Sequence, residues 1–186
     1  MRAVLISIQP KWCELIAKGE KTVEVRKTRP KLEIPGDPFK VYIDCTQDKH
    51  GWFRFGKKER LDGKVIGEFV CDYISIFRPK SITCESSIKK ASCLTVQALI
   101  DYAGKNNHLF GWHISKLKIY DKPKELCEFT KYSEDDIRPC ENGCECQYEY
   151  YDYSEDCRAC GIDFGGDDCP HMKMSRPPQS WCYVEG

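Results

Sequence analysis

What this 186-residue chain lacks narrows the field first. No stretch approaches the roughly 18–20 consecutive apolar residues that a membrane-crossing helix requires. The opening MRAVLISIQPKWCE holds only a short apolar run before Pro10 and Lys11, so no signal peptide is expected and the expected setting is intracellular and cytoplasmic. No Gly-rich phosphate loop and no nucleophile elbow occurs, which removes two common signatures of phosphate and ester chemistry. Internal repeats and low-complexity tracts are absent. Net charge is absent too, with 29 Lys and Arg against 29 Asp and Glu.

That neutrality conceals an asymmetry. Residues 1–90 hold 19 basic against 12 acidic side chains, and residues 91–186 hold 10 against 17. A basic first half can attract phosphate, although a scattered basic surface is also commonplace. The composition, 41% hydrophobic and 31% charged, is that of a folded protein, and the length suits one compact domain with an elaborated loop.

Cysteine is in excess, with 13 in the chain. An odd count rules out complete intramolecular pairing, and the absent export signal argues for thiols. Cys13, Cys45, Cys71, Cys84, Cys93 and Cys127 are scattered beside apolar neighbours and read as reduced core or near-core thiols acting as small hydrophobes.

Alternation of β-branched and aromatic residues predicts strands at Ala3–Ile8, Thr22–Arg26, Phe39–Cys45, Gly63–Tyr73 with an extension over Ser75–Phe77, Leu109–Tyr120 as a pair or one long strand, and Trp181–Val184. Two helices stand between them. The first begins at Pro10, which suits a first helical turn, and ends at Gly19. The second runs from about Leu94 to Gly104, with Thr95 as its cap and Val96, Leu99, Ile100 and Ala103 as its buried face. The residues from Gln47 to Asp62 read as a long polar loop or ragged hairpin around Trp52, Phe53 and Phe55. The fold class is therefore mainly β with a few helices, α+β, in the form of a small barrel or strongly curved sheet.

Between positions 140 and 171 lie Cys140, Cys144, Cys146, Cys157, Cys160, Cys169 and His171. Few aliphatic side chains accompany them, so a hydrophobic core cannot order this segment. Thiolates around zinc can. Cys157 and Cys160 form a CxxC pair able to reach one tetrahedral ion, and Cys140 with Cys144 gives a looser second pair. Cys146, Cys169 and His171 are held in reserve, and Cys182 is a further donor if there are two ions. Four thiolates would make a closed, structural zinc site. From Glu134 to Asp168 there are 12 acidic and 2 basic residues, so this loop suits a supporting or protein-contact role better than contact with phosphate.

The second feature is Gly19-Glu20-Lys21-Thr22-Val23-Glu24-Val25-Arg26, between the first helix and the second strand. On an extended chain Glu24 and Arg26 share a face, and Lys21 at the helix exit can lean toward them. Two cations around one carboxylate leave donors free for a phosphate, a carbonyl or a base edge. Lys27 and Arg29 thicken the positive patch. The plain alternative is an ion pair on the surface of an edge strand with no ligand. Trp12, Trp52, Trp112, Tyr73 and Trp181 are candidates for base stacking. Trp52 leads them because its surroundings are polar, although most aromatics in a small barrel are core.

These residues resemble the signature of the ASCH domain family, whose members adopt a compact barrel related to the PUA fold. The likeness begins at Ile6-Ser7-Ile8-Gln9-Pro10, continues through Lys21, Glu24 and Arg26, and includes Gly63-Lys64-Val65-Ile66-Gly67-Glu68-Phe69. It ends on Arg176-Pro177-Pro178-Gln179-Ser180-Trp181-Cys182-Tyr183-Val184, a run similar to the close of phage- and prophage-type members. Residues 1–186 then form one ASCH/PUA-like domain, with about 130–172 as a cysteine-rich acidic insertion. A bacterial cell or a phage-infected host is the setting the likeness implies.

The resemblance implies an RNA- or nucleotide-binding module using Lys21, Glu24, Arg26, Lys27 and Trp52. Some small family members are amidohydrolases that deacetylate acetylated cytidine with a lysine, a threonine and a glutamate. Lys21 falls on that lysine, Glu24 stands at the threonine, and Ser86–Cys93 holds no acid at the glutamate. The alternative is therefore an amidohydrolase for an acetylated nucleoside with Lys21 and Glu24 as its catalytic pair. A third reading is a phage-encoded module that contacts a protein through the acidic loop.

Overall fold

The computed structural model describes residues 2–31, 36–47, 63–81, 87–132, 174 and 176–185. Strand β1 (Arg2–Ile8) leads through Gln9 into helix α1 (Pro10–Ala17), with Pro10 in the first turn. There its missing N–H leaves nothing unpaired. Gly19, at φ +73°, closes the helix in a conformation a side chain would strain. Strands β2 (Val23–Arg26), β3 (Phe39–Cys45), β4 (Lys64–Cys71) and β5 (Ile74–Phe77) follow. Helices α2 (Ser87–Ser92) and α3 (Val96–Ala103) precede β6 (Leu109–His113), β7 (Ser115–Lys124), β8 (Lys131–Tyr132) and β9 (Trp181–Glu185).

The strands form a six-stranded sheet in the order β7-β4-β3-β1-β9-β8 and a three-stranded sheet in the order β2-β6-β5. Only the β1–β3 pair is parallel among the described ladders, and α1 and β2 make its crossover. The mainly β, α+β class expected from the sequence is what is found.

The large core lies on one face of β1 and β3. Val4, Ile6 and Ile8 of β1 and Val41, Ile43 and Cys45 of β3 pack with Cys13, Ile16, Phe69, Phe110 and Trp112. On the opposite face, Ala3, Leu5 and Tyr42 pack with Phe129, Met174 and Val184. A third cluster joins Val23 and Val25 to Leu99, Ala103 and Leu109 under α3. The period-two alternation of β2 thus sends its valines to α3, and leaves Glu24 and Arg26 for the opposite side.

Thr95 caps α3 as expected, accepting a hydrogen bond from the Ala98 amide at 3.1 Å. Other expectations need correction. Leu109–Tyr120 divides at Ile114 into strands that belong to different sheets, and the second continues to Lys124. Pro123 is tolerated there because β7 is an edge strand and needs no donor on its open side. Helix α2 arises in a stretch to which the sequence reading assigned no element, and Lys131–Tyr132 pairs with β9. Of the scattered cysteines, Cys13, Cys45 and Cys71 are buried, Cys93 is half-buried and Cys127 is exposed; Cys84 lies outside the described residues. Among the described residues no helix is long and apolar enough to cross a membrane.

Candidate functional site

The route from α1 into β2 delivers Lys21 inward. The amides of Glu20 and Lys21 both donate to the Leu15 carbonyl, at 2.9 and 3.1 Å, which wraps the chain back under the helix end. Thr22 then bridges two elements, its amide donating to Ala91 O at 2.9 Å and its carbonyl accepting from Ile114 N at 2.9 Å. With the backbone pinned on both sides, the Lys21 ammonium donates to the Ser92 carbonyl at 2.8 Å. That carbonyl ends α2, so the cation meets the partial negative charge of a helix terminus and one of its unpaired acceptors.

Glu24 lies 3.3 Å from Lys21 Nζ through Oε2 and 3.1 Å from Arg26 Nη2 through Oε1. Arg26 Nη2 also donates to the Ser7 carbonyl at 2.5 Å, reaching the end of β1 where the chain of residues 178–180 joins it. Glu24 is registered opposite Trp112 across the β2–β6 ladder, so its side chain shares a face with a fully buried indole. The trio is therefore not the surface ion pair of the plain alternative, although β2 is an edge strand. Side-chain exposure is 2% for Lys21, 8% for Glu24 and 11% for Arg26.

Two cations share one carboxylate, so the group carries one excess positive charge. Its hydrogen bonding is also incomplete. Among the described residues, Arg26 Nε and Trp112 Nε1 are buried without a hydrogen-bond partner. Lys21 is more fully occupied, by Ser92 O, by Glu24 and by the face of Trp12, whose ring centre is 5.3 Å from Nζ. Trp12 and Trp181 are half-buried beside this region, and Trp181 tilts against Trp112 at 6.0 Å between ring centres.

Lys27 stands apart from the trio, its Nζ 5.0 Å from the Tyr102 ring centre. Trp52 lies outside the described residues. So do Cys140, Cys144, Cys146, Cys157, Cys160, Cys169 and His171, and with them the zinc site expected there. Cys182 is described; its Sγ lies 4.0 Å from Met174 Sδ. Among the described residues no cluster of three or more His, Cys, Asp or Glu is arranged to hold a metal. Tyr73 is 55% exposed and stacks on His113 at 4.8 Å, and His113 Nδ1 is 2.6 Å from Asp72 Oδ1.

One residue of note escaped the sequence reading. Asp44 sits fully buried in the strand FKVYIDC, and among the described residues neither carboxylate oxygen has a hydrogen-bond partner. Burial pushes its pKa up to about 6; the adjacent Ser7 hydroxyl offsets this only in part, because it is directed at the Pro178 carbonyl at 2.7 Å. A carboxylate between Ile43 and Cys45 was the available signal. Cys13, on the buried face of α1, has its thiol pKa raised by burial, then by the Cys45 thiol and by the charges of Glu24 and Asp44. It is an inert core thiol rather than a nucleophile.

A model of the ASCH domain matches residues 6–134. No curated protein matches the sequence. Among solved structures, a point mutant of the ASCH protein from Zymomonas mobilis superposes with a TM-score of 0.54 at 16% identity, covering 98% of this chain and 88% of that one. Another ASCH structure from Zymomonas mobilis gives 0.49 at 20% identity over 67% of this chain and 73% of that one. The N-terminal domain of Staphylothermus marinus McrB gives 0.38 at 12% identity, with coverages of 68% and 77%. At 16% identity, the first of these likenesses is one of fold alone.

Proposed function

This chain belongs to the ASCH domain family, and from that membership we propose that it binds a nucleotide or single-stranded RNA at the buried Lys21–Glu24–Arg26 group. The observation that carries the reading is the excess positive charge, together with the unpartnered Arg26 Nε. An unpaired buried donor costs about 1–3 kcal/mol, and a phosphate or base carbonyl would remove that cost. Arginine suits the task because its planar fork can hold Glu24 and Ser7 with one edge and meet a ligand with another. In this arrangement Arg26 makes the contact. Glu24 fixes the guanidinium, and Lys21 anchors Glu24 from behind.

Equilibrium titration of uridine monophosphate into wild-type protein and Arg26→Gln tests this directly. Loss of about tenfold or more in affinity, in a variant whose thermal unfolding stays cooperative, is the expected result. Unchanged affinity in the variant removes Arg26 from the site.

A second reading, amidohydrolysis of an acetylated nucleoside, draws support from the 3.3 Å Lys21–Glu24 contact, which suits a proton-exchanging pair. It requires acetate release that disappears in Glu24→Gln. Binding is preferred because both Glu24 oxygens are engaged by cations. The PUA-like barrel remains the architecture we infer for the family fold, with residues 130–172 as an insertion. Structural zinc on Cys140, Cys144, Cys157 and Cys160 is supported by the CxxC spacing and the poverty of aliphatic side chains there. Native mass measurement of freshly reduced protein should find the metal. The acidic excess of the insertion favours a protein partner over nucleic acid, and the phage or bacterial setting rests on the closing run from Arg176 to Val184.

A further inference from the structure

An open sheet edge invites pairing with another strand, and proteins blunt such edges with lysine, proline, bulges or brevity. Among the described strands, β7, β8, β2 and β5 stand at edges. β7 carries Lys116, Lys118, Lys122, Lys124 and Pro123, and its ladder with β4 breaks register twice. β8 is two residues long. β2 begins against α2, whose Ala91 carbonyl takes the Thr22 amide. β5 differs from all three: Ile-Ser-Ile-Phe has no charge and no proline, and its register on β6 is unbroken. Of the three large hydrophobic side chains exposed among the described residues, two belong to this edge, Tyr73 at 55% and Ile76 at 57%.

The backbone of β5 is set to receive a partner. His113 N donates to Tyr73 O at 3.1 Å, and the antiparallel ladder alternates from there. Ser75 and Phe77 therefore turn their N–H and C=O groups to β6, whereas Ile74 and Ile76 turn theirs outward.

The sequence around this edge, Asp72-Tyr73-Ile74-Ser75-Ile76-Phe77-Arg78, is its own antiparallel complement. A two-fold axis at Ser75 sets Ile74 against the partner's Ile76, Tyr73 against the partner's Phe77, and Asp72 against the partner's Arg78. Each pair then occurs twice, as an isologous contact requires. In this register Ile74 and the partner's Ile76 form a hydrogen-bonded pair, so the outward backbone groups satisfy one another. Tyr73 and the partner's Phe77 fall at the closer, non-hydrogen-bonded positions, where aromatic side chains stabilise a ladder. Arg78 is exposed, and among the described residues no carboxylate lies within ion-pair distance of it. An unrelated apolar strand would match the isoleucines but not the opposite charges at the two ends.

We propose that β5 pairs antiparallel with β5 of a second copy of this chain, joining two three-stranded sheets in the order β2-β6-β5-β5-β6-β2. The axis is perpendicular to the sheet, so both Lys21–Glu24–Arg26 groups lie on the same face, with the β2 strands about 24 Å apart. The dimer thus presents that group twice, and its formation is independent of what the group binds. So short a ladder belongs to the weak class of interfaces, with dissociation on the order of 10–100 μM.

Sedimentation velocity of the full chain under reducing conditions, from about 5 μM to about 500 μM, reads this association. The wild type should move from 21.6 kDa toward twice that mass. Ile76→Pro removes an outward N–H that β6 does not use, so it should stay monomeric while unfolding cooperatively. Arg78→Asp and Asp72→Arg each place like charges opposite one another at both ends, and each should weaken association about tenfold or more. An equimolar mixture of these two variants restores opposite charges in the mixed pair and should recover the dimer, a rescue that misfolded variants would not show. A wild type that stays monomeric across the range overturns the proposal. So does an Ile76→Pro variant that dimerises like the wild type, or a mixture that associates no more tightly than its components.

Discussion

Glu24 and Asp44 are both carboxyls buried in β-strands, and the molecule houses them in opposite ways. Glu24 lies between Lys21 and Arg26, with each oxygen engaged. Asp44 has no hydrogen-bond partner on either oxygen among the described residues, and burial has moved its titration up toward neutrality. A protein can tolerate a buried acid by supplying countercharge or by letting it take up a proton, and this fold does each once. On the proposed reading, the difference decides which one serves a ligand. Countercharge at Glu24 overshoots by one cation and leaves donors to spare, whereas Asp44 has no excess to offer.

The largest effect should come from breaking the compensated acid. Glu24→Gln leaves two ammonium- and guanidinium-type charges buried together, and should destabilise the fold by about 3–5 kcal/mol in denaturant unfolding at neutral pH. A change under about 1 kcal/mol would mean that the trio is solvated and that the contrast with Asp44 is false.

The unpartnered acid should respond in the reverse sense. Its folded pKa of about 6 stands above the ordinary 3.8, so the fold disfavours the ionised form. Its contribution is therefore best below about pH 4, and stability is lost as pH rises from there to about 6. The shift corresponds to about 3 kcal/mol. Unfolding measured at pH 4 and at pH 7 should show Asp44→Asn gaining about that much on the wild type between the two conditions. A constant difference would show that Asp44 has a partner.

Much of this arrangement was legible in the sequence, and the reasons are local. Strand β3 was expected at Phe39–Cys45 and stands there, because Phe39, Val41, Ile43 and Cys45 alternate with Lys40, Tyr42 and Asp44. Asp44 keeps that alternation, so the period itself did not announce that it would be buried while Lys40 is exposed. Period two placed Glu24 and Arg26 on one face, and the glycine after α1 put Lys21 within reach. Helix α2 was illegible because its sequence, SIKKAS, is short and mostly polar; it is held by tertiary contacts such as the Ala91 carbonyl to Thr22. The partners of the trio were illegible for a related reason. Ser7, Ser92 and Trp112 are brought to it by the β1–β9 junction, the end of α2 and the β2–β6 register, none of which is written in local periodicity. The burial of a charged edge strand is likewise a property of the tertiary fold.

Excess positive charge at the Glu24 site is the claim from which the functional reading follows, and a paired calorimetric titration tests it most directly. Uridine and uridine monophosphate differ by the phosphate alone. At low salt the monophosphate should bind at least about tenfold more tightly, since charge-assisted hydrogen bonds to a buried arginine contribute about 1.5–3 kcal/mol. Equal affinity for the two, or binding of neither, would contradict the account.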